Sequence, residues 1–196
     1  MGRKPVRQQR RQEILDALYR CLLRKPYRDT TIKDIAAEAA MNHGMLHYYY
    51  RNKDDILLSF IDYILDMYKN DFAAWLEKNS DSINDYRDLL LSVFNYMNKQ
   101  ITLDRDLSSI FMEIWEISLY NRDVHTRIKG MYREWVSQLT EIFKQNTPDP
   151  DMAARLAWGM VAFHEGTSML SIIGDMKKKE VSELLSEFQE RMLDIL

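Results

Sequence analysis

Residues 30–57 read TTIKDIAAEAAMNHGMLHYYYRNKDDIL, and this stretch decides the fold. Thr31 precedes Asp34 by three positions, the spacing of a capping box at a helix start. Ile32, Ile35, Ala36 and Ala39 then recur at i, i+3, i+4 and i+7, one face of an α-helix. Ala40 and Met41 interrupt that period. Asn42 is a good N-cap for a second short helix over 43–49, and a third begins near Lys53. Two short helices across a tight turn, with the second free to enter a major groove, form a helix-turn-helix.

The rest of the 196-residue chain supports an all-α fold of about nine helices. Gly and Pro are sparse, numbering 6 and 4, while helix-forming residues are frequent. No apolar run is long enough to span a bilayer, and the basic start lacks the apolar stretch of a signal peptide. A single cysteine, Cys21, excludes an internal disulfide framework and suits a reducing cytoplasm. It falls beside the apolar stripe of the first helix, where a packed thiol is expected.

The net charge of −3 conceals an asymmetry. Residues 1–53 carry 12 Lys+Arg against 5 Asp+Glu, or +7, and residues 54–196 carry 15 against 25, or −10. A basic module on an acidic body is expected when one end meets phosphate and the other does not.

Periodicity places a first helix over about 7–24, ended by Pro26, with residues 1–6 disordered. A long fourth helix starts near Lys53, with Ile56, Phe60, Ile64, Tyr68, Phe72 and Leu76 in line. Residues 79–82 break the pattern. Further helices are expected over 83–101, 104–119, 122–145 and 151–173, with a loop at 147–150, a stop at Gly174-Asp175, and a last helix from about 177. The expected division is a DNA-binding module, 1–52, and a helical body, 53–196, which the family resemblance given next implies is an effector-binding and dimerisation domain.

Residues 42–53, Asn-His-Gly-Met-Leu-His-Tyr-Tyr-Tyr-Arg-Asn-Lys, resemble the recognition-helix signature of TetR-type bacterial repressors. The usual form is Ser-Lys/Arg-Gly-Thr/Ser-Leu-Tyr-Tyr/His-His/Tyr-Phe-x-x-Lys, and the upstream Thr-Ile-x-x-Ile-Ala-x-x-Ala matches as well. The resemblance is specific over about the first sixty residues. Met41, Met45, His47 and Tyr50 depart from the pattern, two of them where operator contacts are usually made. Side-chain chemistry suits base reading at His43 and His47, which can donate to purine acceptors, at Asn42, and at Met45 against a thymine methyl. Gly44 allows close approach to the sugar-phosphate backbone. Thr31, Lys33, Tyr48 and Lys53 lie where the family usually contacts phosphate, contacts that position rather than specify. Leu46 and Tyr50 are expected to be core pegs. His43 and His47 stand at metal-binding spacing, but no third ligand is near in sequence, so no metal is expected.

The resemblance also implies a ligand cavity among helices four to eight, with Tyr63, Met67, Phe94, Phe111, Trp115 and Trp158 as lining candidates. An ordinary helical core accounts for most of the other aromatic and Met residues. Glu113, Glu116, His125, His164 and Glu165 are the candidate polar groups of a mostly apolar pocket. Residues 111–116 resemble the BetI-like branch of the family. A Trp beside a carboxylate suits a cationic effector through cation–π attraction; an apolar or aromatic effector fits the same residues. Helices eight and nine carry surplus apolar side chains, Leu156, Phe163, Leu184, Leu185 and Phe188 among them, expected to pair in a homodimeric four-helix bundle.

Taken together these features point to a homodimeric regulator that binds a pseudo-palindromic double-stranded operator and is released by a small-molecule inducer. No cofactor and no membrane partner are expected. One rival is an all-α DNA binder without effector. A second is an all-α enzyme using Glu113, Glu116 and His164, but it lacks any tight ligand spacing, so enzymatic activity is not expected.

Overall fold

The computed structural model describes residues 3–79, 83–145 and 149–195, apart from the side chains of 3–5, 101 and 193–195. Among these residues the regular structure is helical: α1 (Arg3–Leu22), α2 (Ile32–Glu38), α3 (His43–Tyr49), α4 (Lys53–Asn79), α5 (Tyr86–Met97), α6 (Arg105–Ser118), α7 (Arg122–Lys144), α8 (Pro150–Ile173) and α9 (Lys178–Ile195). Two compact units result. The first comprises residues 1–68 and 113–127, the second 69–112 and 128–196. These units are defined by packing. The functional division at residue 52 is a separate proposal.

Helix ends follow their capping chemistry. Thr31 Oγ1 accepts from the Asp34 N–H at 3.2 Å and Asp34 Oδ2 accepts from the Thr31 N–H at 2.7 Å, the expected capping box. Asn42 Oδ1 accepts from the Met45 N–H at 2.7 Å and so starts α3. Asp85 does the same for α5 and Asp149, followed by Pro150, for α8. α5 is shorter than its apolar period suggests. It begins at Tyr86 rather than at residue 83 and gives way at Asn98–Thr102 to a π-turn, closed by the Leu103 N–H donating to Asn98 O at 3.0 Å. α1 starts earlier than expected, at Arg3. Pro5 sits in its first turn, where backbone N–H groups have no intrahelical acceptor, so the missing donor costs nothing. Of the breaks expected at 79–82 and 147–150, Asn79 instead ends α4 and Pro150 opens α8, while 80–82 and 147–148 lie outside the described residues, as do residues 1 and 2 at the start.

In the first unit Ile14, Leu18, Ile35, Leu46, Ile56 and Leu57 are fully buried and close α1, α2, α3 and the start of α4 around one core. Cys21 is buried there as a free thiol. The turn between α2 and α3 passes through Ala40 at φ 52°, the left-handed region, which costs a residue with a Cβ about 1–2 kcal/mol. The Met41 N–H donating to Ala36 O at 2.9 Å fixes that turn.

In the second unit Leu90, Val93, Phe94, Met97, Leu139, Phe143, Met160, Val181 and Leu185 form the apolar core. His164 lies inside it. Its Nδ1 is 2.9 Å from Met160 O and its Nε2 2.9 Å from Asn98 Oδ1. Burial lowers the His164 pKa to about 4, against the opposing effect of the Met160 carbonyl. A neutral ring has one N–H. With that N–H donated from Nδ1 to Met160 O, Nε2 is left as the acceptor beside the Asn98 amide. Burial raises the neighbouring Glu165 to about 7, while the Tyr132 hydroxyl, donating to Oε1 at 2.8 Å, opposes the rise.

Candidate nucleic-acid interface

α3 is held from beneath and open above. Leu46 and Tyr50, the expected pegs, are 0% and 2% exposed. Arg11 of α1 secures the end of α3: its guanidinium donates to Tyr49 O at 3.0 Å and lies 4.2 Å over the Tyr50 ring. On the other face Asn42, His43, Gly44, His47 and Tyr48 are exposed and Met45 is half-exposed. The His43 and His47 rings meet edge to face at 4.7 Å, so the two imidazoles form one donor-bearing ridge. Tyr48, 71% exposed, carries the Arg7 guanidinium 5.8 Å above its ring and places a cation beside that ridge. A Cβ on Gly44 would make ordinary contact with Asn42 Oδ1 at 3.6 Å. Packing within the chain therefore does not demand a glycine there.

The phosphate candidates separate. Lys33 is exposed. Thr31 is exposed too, but its hydroxyl donates to Asp34 Oδ2 at 2.7 Å and accepts from the Asp34 N–H. Lys53 turns inward. Its Nζ donates to Tyr27 O at 2.8 Å and Thr30 O at 2.9 Å and lies 4.1 Å over the Tyr27 ring. Burial lowers its pKa against the pull of Asp54 and Glu113. Two of its three N–H groups are thus spent on the chain. Tyr27, which sequence reasoning passed over, is the hub of this arrangement. Its hydroxyl donates to Asp54 Oδ1 at 2.7 Å, and its backbone N–H donates to Glu113 Oε1 of α6. No sequence pattern signals a partner 86 positions away.

The remaining candidates divide between the units. Tyr63, Met67 and Trp115 belong to the first, and Phe94, Phe111 and Trp158 to the second. Phe94 is a core residue 6.0 Å from the His164 ring, whereas Trp158 stands 51% exposed on α8. Of the polar candidates, Glu116 and His125 are exposed, and Glu113, His164 and Glu165 are engaged as described. Leu185 is 2% exposed within its own chain and packs in the second unit's core, so that residue is not available to a partner. Phe163 stacks on Phe188 at 3.6 Å in the same unit. Leu156 is half-buried and Leu184 is 44% exposed. An amphipathic stripe covers its own core or a partner's equally well, and at Leu185 it covers its own.

Among the described residues no helix is long and apolar enough to cross a membrane, and no group of three or more His, Cys, Asp or Glu side chains is arranged to hold a metal ion. A capped recognition helix, anchored by two buried pegs and exposing polar and basic groups on a basic module, defines a helix-turn-helix DNA-binding transcriptional regulator. Residues 14–60 match the family of bacterial regulatory proteins, tetR family, and residues 87–194 match the BetI-type transcriptional repressor C-terminal domain. The chain belongs to the TetR family of bacterial regulators, with a C-terminal domain of BetI type. It is a regulator and not an enzyme.

Among curated proteins it is 23% identical over 188 residues to the transcriptional regulator BetI of Stenotrophomonas maltophilia, covering 95% of this chain and 93% of that one. A transcriptional regulator from Saccharomonospora viridis, solved in complex with choline, superposes with a TM-score of 0.76 at 23% identity over 93% of this chain and 96% of the other. FadR from Bacillus subtilis, solved with stearoyl-CoA, gives 0.69 at 16% identity over 93% and 97%. At these identities the two solved structures establish the shared fold alone.

Proposed function

We propose that the protein is a cytoplasmic, homodimeric repressor that binds a pseudo-palindromic operator and is released by a small-molecule inducer. The observation that carries this reading is α3 itself. Asn42, His43, Met45 and His47 face outward over Leu46 and Tyr50, which fix the helix in its unit. His43, His47 and Asn42 read base edges, Met45 packs against a thymine methyl, and Gly44 lets the backbone approach. Lys33, Tyr48 and Arg7 supply phosphate contacts; Thr31 and Lys53 contribute with what their internal bonds leave free.

Dimerisation rests on the open face of α8. Met152, Gly159, Ala162, Gly166, Leu170 and Ile173 recur there at helical spacing, and Leu170 and Ile173 are 58% and 64% exposed. A Cβ on Gly159 or Gly166 would meet nothing within its own chain, which leaves room for a second helix to approach closely. Leu184 adds an exposed apolar side chain on α9. The effector is an apolar, aromatic or cationic small molecule, and choline, bound by the Saccharomonospora viridis regulator, is the first compound to test.

Selection from random double-stranded DNA with the purified protein, followed by mobility shifts with and without choline and long-chain acyl compounds, tests the reading. A dyad-symmetric site bound by two chains and released by one of these compounds is expected. Recovery of no preferred sequence would falsify the operator assignment.

A further inference from the structure

His43 and His47 stand one helical turn apart on the outward face of α3, and both are exposed. Side chains at i and i+4 leave a helix as neighbours. Here the two rings meet edge to face with their centres 4.7 Å apart. Two imidazoles bound to one ion through nitrogens at about 2.0–2.1 Å have ring centres about 5 Å apart. The pair therefore already has the separation of a chelate. Turning an exposed ring about χ2, a soft torsion, brings one lone pair from each ring to a common point. Among the described residues neither imidazole is spent on a hydrogen bond or an ion pair within the chain.

The surroundings decide what such a pair can hold. The acidic side chains that brace the helix-turn-helix are engaged elsewhere: Asp34 with Lys25 and Thr31, Glu38 with Arg20 and Arg24, Asp54 with Tyr27, and Asp55 with the Arg51 N–H. Among the described residues no third His, Cys, Asp or Glu joins the two rings, so water completes the shell of an open site. Magnesium and calcium take shells of oxygen. Neutral imidazole suits zinc, nickel and copper. The basic module and the positive end of α3 both oppose a cation, which makes this a site that fills and empties rather than one that keeps its ion.

We propose that His43 and His47 chelate a divalent late transition-metal ion of the zinc class, and that the occupied pair masks the base-reading surface of α3. The masking rests on the operator reading above, whereas the metal site stands without it. Base reading needs an imidazole N–H within about 2.9 Å of a purine acceptor. An ion and its waters set over the two rings hold that face of α3 off the base edges. The ion's charge preserves attraction to phosphate, which carries no sequence information. Occupancy thus removes discrimination between sequences and leaves nonspecific binding in place.

The experiment has two arms, both on the untagged full chain. Calorimetric titration with zinc chloride, without DNA, is expected to show one ion per chain, lost in His43→Gln and in His47→Gln and kept in His125→Gln. Both ring positions are exposed, so neither substitution opens the core. The second arm measures preference for a duplex selected by the wild type over a scrambled duplex of the same composition. Saturating zinc is expected to lower that preference by about 5–150-fold, the discrimination carried by one good base contact, with no loss of affinity for the scrambled duplex and recovery on adding EDTA. A wild type that takes up no zinc overturns the proposal, as does uptake that survives both substitutions or is lost in His125→Gln. Unchanged preference at saturation overturns the masking, and so does an equal zinc effect in His47→Gln, because zinc then acts elsewhere. A wild type that selects no duplex overturns the operator reading and the masking with it, a failure told apart because the titration judges the metal site by itself.

Discussion

Protonating His164 should destabilise the second unit, and the effect can be sized. The ring is 1% exposed and flanked by Phe94 and Phe163 at 6.0 and 5.6 Å. Its pKa falls from an ordinary 6.5 to about 4. The folded state therefore holds fewer protons than the unfolded chain between those values, so stability rises with pH across the window and is lost as pH falls through it. At about 1.4 kcal/mol per tenfold change in proton affinity, the loss approaches about 3 kcal/mol by pH 4. That is a large fraction of a typical domain's about 5–15 kcal/mol. Protonation also places a charge on a ring walled in by two aromatic side chains and the Asn98 amide. Glu165 acts in the opposite sense. Its pKa is raised from 4.5 to about 7, so its neutral form stabilises the fold at low pH and that contribution is lost as pH rises through about 7. The two slopes partly cancel over the shared range. The measurement is urea unfolding followed by circular dichroism from pH 4 to 8, comparing Glu165→Gln with Glu165→Gln/His164→Gln. Their difference should fall by about 3 kcal/mol between pH 6.5 and pH 4. A difference curve that is flat, or that rises on acidification, refutes the reasoning.

The α8 face gives a second expectation. Leu170→Glu with Ile173→Glu should convert a dimer of twice the chain mass into folded monomers in sedimentation equilibrium, because an obligate interface buries about 2,000 Å² or more; Leu185→Glu should instead unfold the chain, because that side chain is in its own core. For DNA, Lys33→Ala should weaken all sequences alike and flatten the salt dependence by about 0.9 in log–log slope per lost phosphate contact. His47→Ala should relax base preference at one position per half-site by about 1–3 kcal/mol, read by selection from random DNA. Asn42→Ala removes the cap that accepts from the Met45 N–H and should lower the stability of the first unit by about 0.5–2 kcal/mol in thermal unfolding, with little change in the second. Ala40→Gly relieves the left-handed turn and should raise it; a fall in melting temperature argues against strain at that residue.

The sequence by itself determined the local structure and its chemistry. Thr31 with Asp34, Asn42 and Asp149-Pro150 started helices where their short polar side chains reach the first free N–H groups. Leu46 and Tyr50 were legible as pegs because they stand four residues apart on one face, within and just past the end of a seven-residue helix. The basic charge of the first 53 residues marked the module that carries α3. Such features depend on neighbours within four residues, where backbone geometry fixes who can meet whom. Tertiary structure decided the rest. Lys53 stands at a phosphate-contacting position by motif yet spends itself on Tyr27 and Thr30. Leu185 stands on a stripe that reads as interface yet is buried in its own unit. α5 yields to a π-turn at Asn98, whose amide meets His164, and Glu113 meets Tyr27 across 86 positions. Each of these depends on which distant segment arrives at a side chain, and periodicity records that a face is apolar or a residue charged without recording what will be packed against it.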